Sequence, residues 1–277
     1  MLFRSDVQGY SEVNANFLNT KLRKSFRDMV NIVDREARSV WSTSLVPSKS
    51  DFKSGGSGIV TFGRVAPRIK ESGTDRMGRW CYQVLEGKGR EILLVNVYQV
   101  CVQTADGKLT ASQQQRIMLS EENREADPRK YFKKDLIQLL RKHKLRNGNI
   151  VPILMGDWNK ESSRKLFADE VQKEFGLVDA FKRRFPKNEV FKTHIDGSKR
   201  IDYVLTLPWV ADAMTSIVYE PFCYRMTGDH RGLYFDIDET KLFCDTSEEA
   251  YDFSGRILQS KNKKNAGRYL EIGRAHV

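Results

Sequence analysis

Apolar positions along this chain switch repeatedly between the spacing of strands and the spacing of helices. The strongest signal is residues 149–159, NIVPILMGDWN, where Ile150, Val151, Ile153, Leu154 and Met155 form a short apolar run after a polar break. Such a run reads as a strand buried on both faces. It ends at Gly156, so Asp157, Trp158 and Asn159 are delivered to the rim, where α/β folds place their chemistry. Residues 6–12 read as a strand running into Glu12. Leu18, Leu22, Phe26, Met29, Val30 and Val33 fall three or four apart and predict an amphipathic helix.

Further along, residues 38–45 and 59–65 read as strands on either side of a Ser- and Gly-rich loop. Residues 66–78 form a basic connection. Residues 79–85 and 91–100 read as a hairpin turning at Gly87-Lys88-Gly89. Helices are predicted over 110–124 and 128–144, the second started by Asp127-Pro128 because proline suits a first helical turn. After the central strand come short helices at 165–175 and 177–184, a strand at 199–205, a helix at 208–214, and strands at 216–219 and 233–237. Strands and helices interleave, but with hairpins, so the sheets are expected to be mixed.

Composition narrows the class. The chain has 277 residues, 40% of them hydrophobic and 30% charged, which suits one large α/β domain or two small ones. No run of about 18 apolar residues provides a membrane span, and no signal-peptide pattern is present. Cys81, Cys101, Cys223 and Cys244 are widely spaced without a CxxC pair, and three sit in apolar contexts. Buried free thiols in a reducing compartment are therefore expected. The net charge of +11 favours a polyanionic partner, nucleic acid before membrane. Lys53, Arg64 to Lys70 and Arg76 to Arg79 are the basic segments expected to track phosphates from rim loops.

Two later stretches add to the rim pair. Arg200-Ile201-Asp202-Tyr203 puts a carboxylate at the head of an apolar strand, and Gly228-Asp229-His230 stands just before the last strand. Singly, each has an ordinary explanation as a strand cap, a turn residue or a surface histidine. In this order, Glu12, Gly-Asp-Trp-Asn, Arg-Ile-Asp-Tyr and Gly-Asp-His resemble the endonuclease/exonuclease/phosphatase superfamily over about residues 6–238. Within it, the pattern is most similar to the apurinic-type endonuclease domain of non-LTR retrotransposon polyproteins.

That resemblance implies an α/β four-layer sandwich, with two mixed β-sheets packed face to face and helices outside. It implies a Mg2+-dependent phosphodiester hydrolase, with Mn2+ as a substitute ion, that nicks DNA and leaves a 3′-hydroxyl. Glu12 and Asp229 would be the metal ligands. Asp157 would take a proton from the attacking water, or orient it, and Asn159 would donate a hydrogen bond to phosphate or water. Asp202 would orient His230 to stabilise the pentacovalent charge, and Tyr98 would contact phosphate. His194 reads as structural. The expected setting is a monomeric domain fused to a reverse transcriptase-like region, intracellular and nuclear. Two other readings stay open: a hydrolase of lipid or inositol phosphates, and an inactive nucleic-acid-binding fragment.

The family pattern is not complete. The superfamily has an Asn-bearing strand before the Glu-bearing one, and nothing upstream of Glu12 is long enough to form it. Ser11, Gly228 and Gly232 stand where Gln, Ser and Pro are common. Residues 1–5 and 271–277 resemble translated sequencing adapters and are set aside as scars; on that reading the chain is expected to be a fragment. Residues 241–270 read as a linker toward a downstream region.

Overall fold

The computed structural model describes residues 5–101, 109–162, 168–187, 191–223 and 228–244. By its contacts the chain divides into two units at 245/246, and the second lies wholly outside the described residues.

The sheet carrying the central strand has six members. They are β4 (Ile69–Thr74), β5 (Trp80–Gly87), β6 (Arg90–Tyr98), β7 (Ile150–Asp157), β9 (Asp202–Thr206) and β8 (Val178–Asp179), in that spatial order. Strands β6 and β7 run parallel, and every other neighbouring pair is antiparallel. A parallel pair needs a long crossover. Helices α2 (Ala111–Glu121) and α3 (Pro128–Arg146) lie in this one. Asp127 caps α3 by accepting from the amides of Arg129 and Lys130, both at 3.1 Å, with Pro128 in the first turn as its fixed φ allows.

Both faces of this sheet are buried, which explains the continuous apolar run of β7. Leu93, Val95, Leu154 and Tyr203 face α3 through Phe132, Leu136 and Leu140. Their alternates Ile92, Leu94, Ile153, Met155 and Val204 face a second core containing Ile59, Met214 and Ile217. That core is closed by a sheet of β1 (Val7–Ser11), β3 (Ser57–Thr61) and β2 (Arg38–Ser42), ordered β1-β3-β2. It is also closed by the pair β10 (Met214–Tyr219) and β11 (Leu233–Ile237). Outside the three-stranded sheet, α1 (Thr20–Val33) presents Phe26 edge-on to Trp41, whose ring also stacks on Phe17 at 4.7 Å. Helices, sheet, sheet and helix make the sandwich that the resemblance implies, but only the six-stranded sheet is mixed; the three-stranded sheet is antiparallel throughout.

Several local readings are corrected. Within the basic connection, β4 is a strand, paired with β5 from Ile69↔Leu85 to Thr74↔Cys81. The strand predicted to reach Val65 ends at Thr61 and gives way to a 3-10 turn over Gly63–Arg68. The helix predicted at 165–175 is described as α4 (Ala168–Phe175), and part of the helix predicted at 177–184 is instead β8, with α5 (Ala180–Arg184) following. Beyond α6 (Pro208–Ala213), helix α7 (Glu239–Phe243) buries Leu242 and Phe243 and extends the packed domain past the expected start of a linker at 241. Only Cys81 is a buried thiol; Cys101, Cys223 and Cys244 are exposed, and all four are free. The presumed scars at 1–4 and 271–277 lie outside the described residues.

Candidate functional site

Four chain segments meet at one end of the two sheets. Because β6 and β7 are parallel, Tyr98 and Asp157 stand side by side at their C-terminal ends, and Asp202 stands opposite Asp157 on β9. Strand β1 crosses above them. The Ser11 hydroxyl donates to the Val97 carbonyl at 2.8 Å and accepts from the Asp157 amide at 3.2 Å, which fixes where Glu12 emerges. Gly156 permits this approach. Its φ is +132°, and a Cβ there would sit 2.2 Å from the Val97 carbonyl oxygen, so only glycine fits.

The residue after Asp157 is an anchor. Trp158 is wholly buried, stacks on Tyr203 with centroids 5.2 Å apart, and donates its indole N–H to the Tyr203 carbonyl at 3.0 Å. Asp157, 2% exposed, is held by Asn159, whose backbone amide and side-chain Nδ2 each donate to its carboxylate at 2.8 Å. The other Nδ2 hydrogen of Asn159 goes to the Gln99 carbonyl at 2.7 Å. Turning the amide over would bring its oxygen against two acceptors, so this orientation is fixed by the network. With no phosphate bound, both side-chain hydrogens of Asn159 are directed to Asp157 and Gln99.

His230 reaches the same place from the other side. Its Nδ1 lies 2.8 Å from Asp202 Oδ2. Asp202 is itself set by Thr193, whose hydroxyl accepts the Ile201 and Asp202 amides at 3.0 and 3.2 Å, and by the Tyr219 hydroxyl on the Asp202 carbonyl at 2.7 Å. Behind Tyr219, the buried Arg200 guanidinium binds Tyr219 at 3.1 Å and pairs with Asp179. Sequence reading found Arg200 only as part of a motif and missed Thr193, Tyr219 and Arg129. Arg129 holds the Asn159 and Val100 carbonyls at 3.1 and 3.0 Å. Nothing in the spacing of a lone Thr or Tyr marks such a role.

The electrostatics follow from the crowding. Burial pushes the Asp157 carboxyl well above its ordinary range, and the Asp202 charge pushes it further, while His230 pulls back. Glu12 is exposed as a residue, yet its carboxylate lies among side chains. Desolvation raises its pKa, against the hydrogen bond from Tyr98 and the charge of His230. Burial alone would discharge His230. The bond and charge of Asp202 outweigh it, with Asp157 and Asp229 adding, and the imidazole is raised to about 9. It is thus cationic at neutral pH. Tyr98 is driven upward by burial and by the Glu12 and Asp157 charges, so it stays a hydroxyl donor.

Glu12, Asp157 and His230 each offer a ligand atom within 4.8 Å of the others. Asp229 is turned away from this group: its Oδ2 lies 3.3 Å from His194 Nε2, though its charge still reaches Glu12. The oxygen-rich side of the cluster suits a hard divalent cation. Two carboxylates with raised pKa values face it, and Mg2+ needs only one or two protein oxygens because it keeps several waters.

The expected phosphate-tracking residues fare less well. Lys53 is buried and spends its ammonium on the Ser44 and Val46 carbonyls. Arg79 is buried, bidentate on Asp75 at 2.7 and 2.8 Å and paired with Asp135 at 2.9 Å. Arg64 to Lys70 precede or begin β4 at the end of the sheet opposite Tyr98, where Arg64 and Arg68 pair with Glu239. Of these segments only Arg76, 71% exposed, presents a largely open cation at the site's end.

The sequence matches no protein-family model and no curated protein. In structure the chain is similar to the AP endonuclease LMAP from Leishmania major, with TM-score 0.59 at 15% identity, over 84% of this chain and 78% of that one. It is similar to the 3′ phosphatase NExo from Neisseria bound to product DNA hairpin, with TM-score 0.57 at 16% identity, over 86% and 90%. It is also similar to the 3′-5′ exonuclease NExo from Neisseria meningitidis, with TM-score 0.54 at 17% identity, over 86% and 91%. The fold that these structures share is the fold of this chain.

Proposed function

We propose that this domain is a phosphodiester hydrolase that nicks DNA with Mg2+. The observation that carries the reading is the His230–Asp202 pair, 2.8 Å apart, facing a buried Asp157 across the same strand ends. The fold neighbour bound to a DNA hairpin and the net charge of +11 support nucleic acid as substrate.

The residues divide the work as follows. Asp157 accepts a proton from the attacking water, its raised pKa making it a better base at neutral pH than an exposed aspartate. Asn159 positions Asp157. His230, charged at pH 7 and fixed through Nδ1 by Asp202, meets the negative charge that builds on the pentacovalent phosphorus. Tyr98 donates to Glu12 and orients it. Glu12 would hold the Mg2+, with Asp229 close enough for its charge to be felt there. The ion would neutralise the scissile phosphate and leaving oxygen.

We further read the domain as the endonuclease of a retroelement, where the 3′-hydroxyl left by nicking would prime a fused reverse transcriptase-like region in the nucleus. A full transcript without such a region downstream would remove that part and leave the hydrolase. For the reaction itself, supercoiled plasmid should be nicked with Mg2+ and spared when the ion is chelated. Release of phosphate from inositol phosphates with no nicking would replace DNA by the other substrate class. No turnover of either would leave the inactive binding remnant.

A further inference from the structure

Beside the site lies a second group of donors, which shares His230 and Asp229 with the proposed hydrolysis and adds His194, a side chain that the hydrolysis does not use. The segment at 193–195 pairs antiparallel with 229–231. Ile195 donates to the Asp229 carbonyl at 2.7 Å, Arg231 donates to the Thr193 carbonyl at 2.8 Å, and His194 stands opposite His230. The two imidazoles meet edge to face with centroids 4.9 Å apart. His194 Nε2 lies 3.3 Å from Asp229 Oδ2. His194, Asp229 and His230 each offer a ligand atom, all within 4.8 Å of one another.

The chemistry of this set differs from that of the carboxylates around Glu12. Two imidazoles and one carboxylate are the donors of a borderline cation such as Zn2+, whereas Mg2+ takes oxygen. The Asp202 contact on His230 Nδ1 is the carboxylate–histidine arrangement that fixes metal-binding imidazoles, and it leaves Nε2 as the nitrogen to take a cation. Asp229, with its side chain 65% exposed, can swing to shorten the donor spacing. His194 Nδ1 now accepts from the Asp196 amide at 3.1 Å. Binding through Nε2 moves the imidazole proton to Nδ1 and releases that exposed amide to water. The proton on His230 Nε2 goes to solvent.

The geometry points to a Zn2+-class site formed by His194, Asp229 and His230, with water completing a tetrahedron. If the hydrolase reading holds, on which this second step rests, occupancy engages His230 through Nε2 and draws Asp229 toward His194. The site is then inhibitory.

Calorimetric titration of the whole chain with Zn2+ alone, in excess Mg2+, tests the site without reference to activity. One Zn2+ should bind and not be displaced by Mg2+, and His194→Gln should weaken it by about tenfold or more, since loss of even a partner behind a metal ligand costs about 10- to 100-fold. Asp229→Asn should weaken it independently. In nicking assays, Zn2+ should suppress the native chain and not His194→Gln. Zn2+ binding that depends on His194 in a chain with no hydrolytic activity would sustain the site and refute the hydrolase reading. Equal Zn2+ affinity in native and His194→Gln proteins would overturn the site whatever the activity.

Discussion

Replacing Gly156 by alanine is expected to damage fold and site together, out of proportion to one methyl group. At φ +132° the backbone sits where a residue with a Cβ is strained by about 1–3 kcal/mol. The added carbon would lie 2.2 Å from the Val97 carbonyl oxygen, 2.9 Å from the Val97 nitrogen and 3.0 Å from the Ser11 hydroxyl. Two of these atoms are backbone of the neighbouring strand and cannot rotate away, so β6 and β7 must part or β1 must lift. Overpacking of this kind costs about 1–3 kcal/mol more. The sum, about 2–6 kcal/mol, is a large fraction of the roughly 5–15 kcal/mol that holds an ordinary domain together. Gly148→Ala is the control, because nothing lies within 4 Å of its added carbon; it should shift stability by no more than about 0.5 kcal/mol. Urea unfolding of the three proteins measures both. Stability of Gly156→Ala within about 1 kcal/mol of the control would refute this seating of β1 over the site.

Three further outcomes follow from other parts of the structure. Arg200→Met should destabilise by about 3–5 kcal/mol in denaturant unfolding, because it leaves the buried Asp179 without its partner, and Arg200→Lys should rescue only part, lacking the fork that reaches Tyr219. Burial and then the Arg146 charge hold His143 below its ordinary pKa, so its neutral form belongs to the fold. Stability should then fall as pH drops below about 6.5, by up to about 1.4 kcal/mol per unit, and His143→Phe should lack that share of the acid limb. Tyr98→Phe, which removes the hydroxyl held on Glu12, should slow nicking by about 10- to 100-fold with folding intact, the equivalent of a hydrogen bond to a charged group.

Much of this arrangement was legible because strand ends leave marks in sequence. An apolar run ending in Gly-Asp-Trp-Asn announces a buried strand and what lies at its rim, and the structure places Asp157 there with Tyr98 and Asp202 alongside. The pairing of Asp202 with His230 could be expected only from a family pattern, since 28 residues separate them and no local periodicity links them. What could not be read is how side chains spend their hydrogen bonds. Asn159 has the composition of a phosphate donor, and only its neighbours Asp157 and Gln99 show where both its hydrogens point. Lys53 and Arg79 look like surface cations in a basic loop, yet Lys53 is buried on carbonyls of the preceding loop and Arg79 on Asp75 of its own turn and Asp135 of α3. β4 was missed because its glutamate, glycine and threonine positions form a half-exposed edge strand with no apolar run.

The most direct measurement is nicking of supercoiled plasmid by the native chain, His230→Ala and Asp157→Ala, in Mg2+, with folding of each verified by circular dichroism. The native chain should nick and both variants should not, since His230 supplies the cation opposite the phosphorus and Asp157 the base. Nicking that persists at the native rate in either folded variant would contradict these roles.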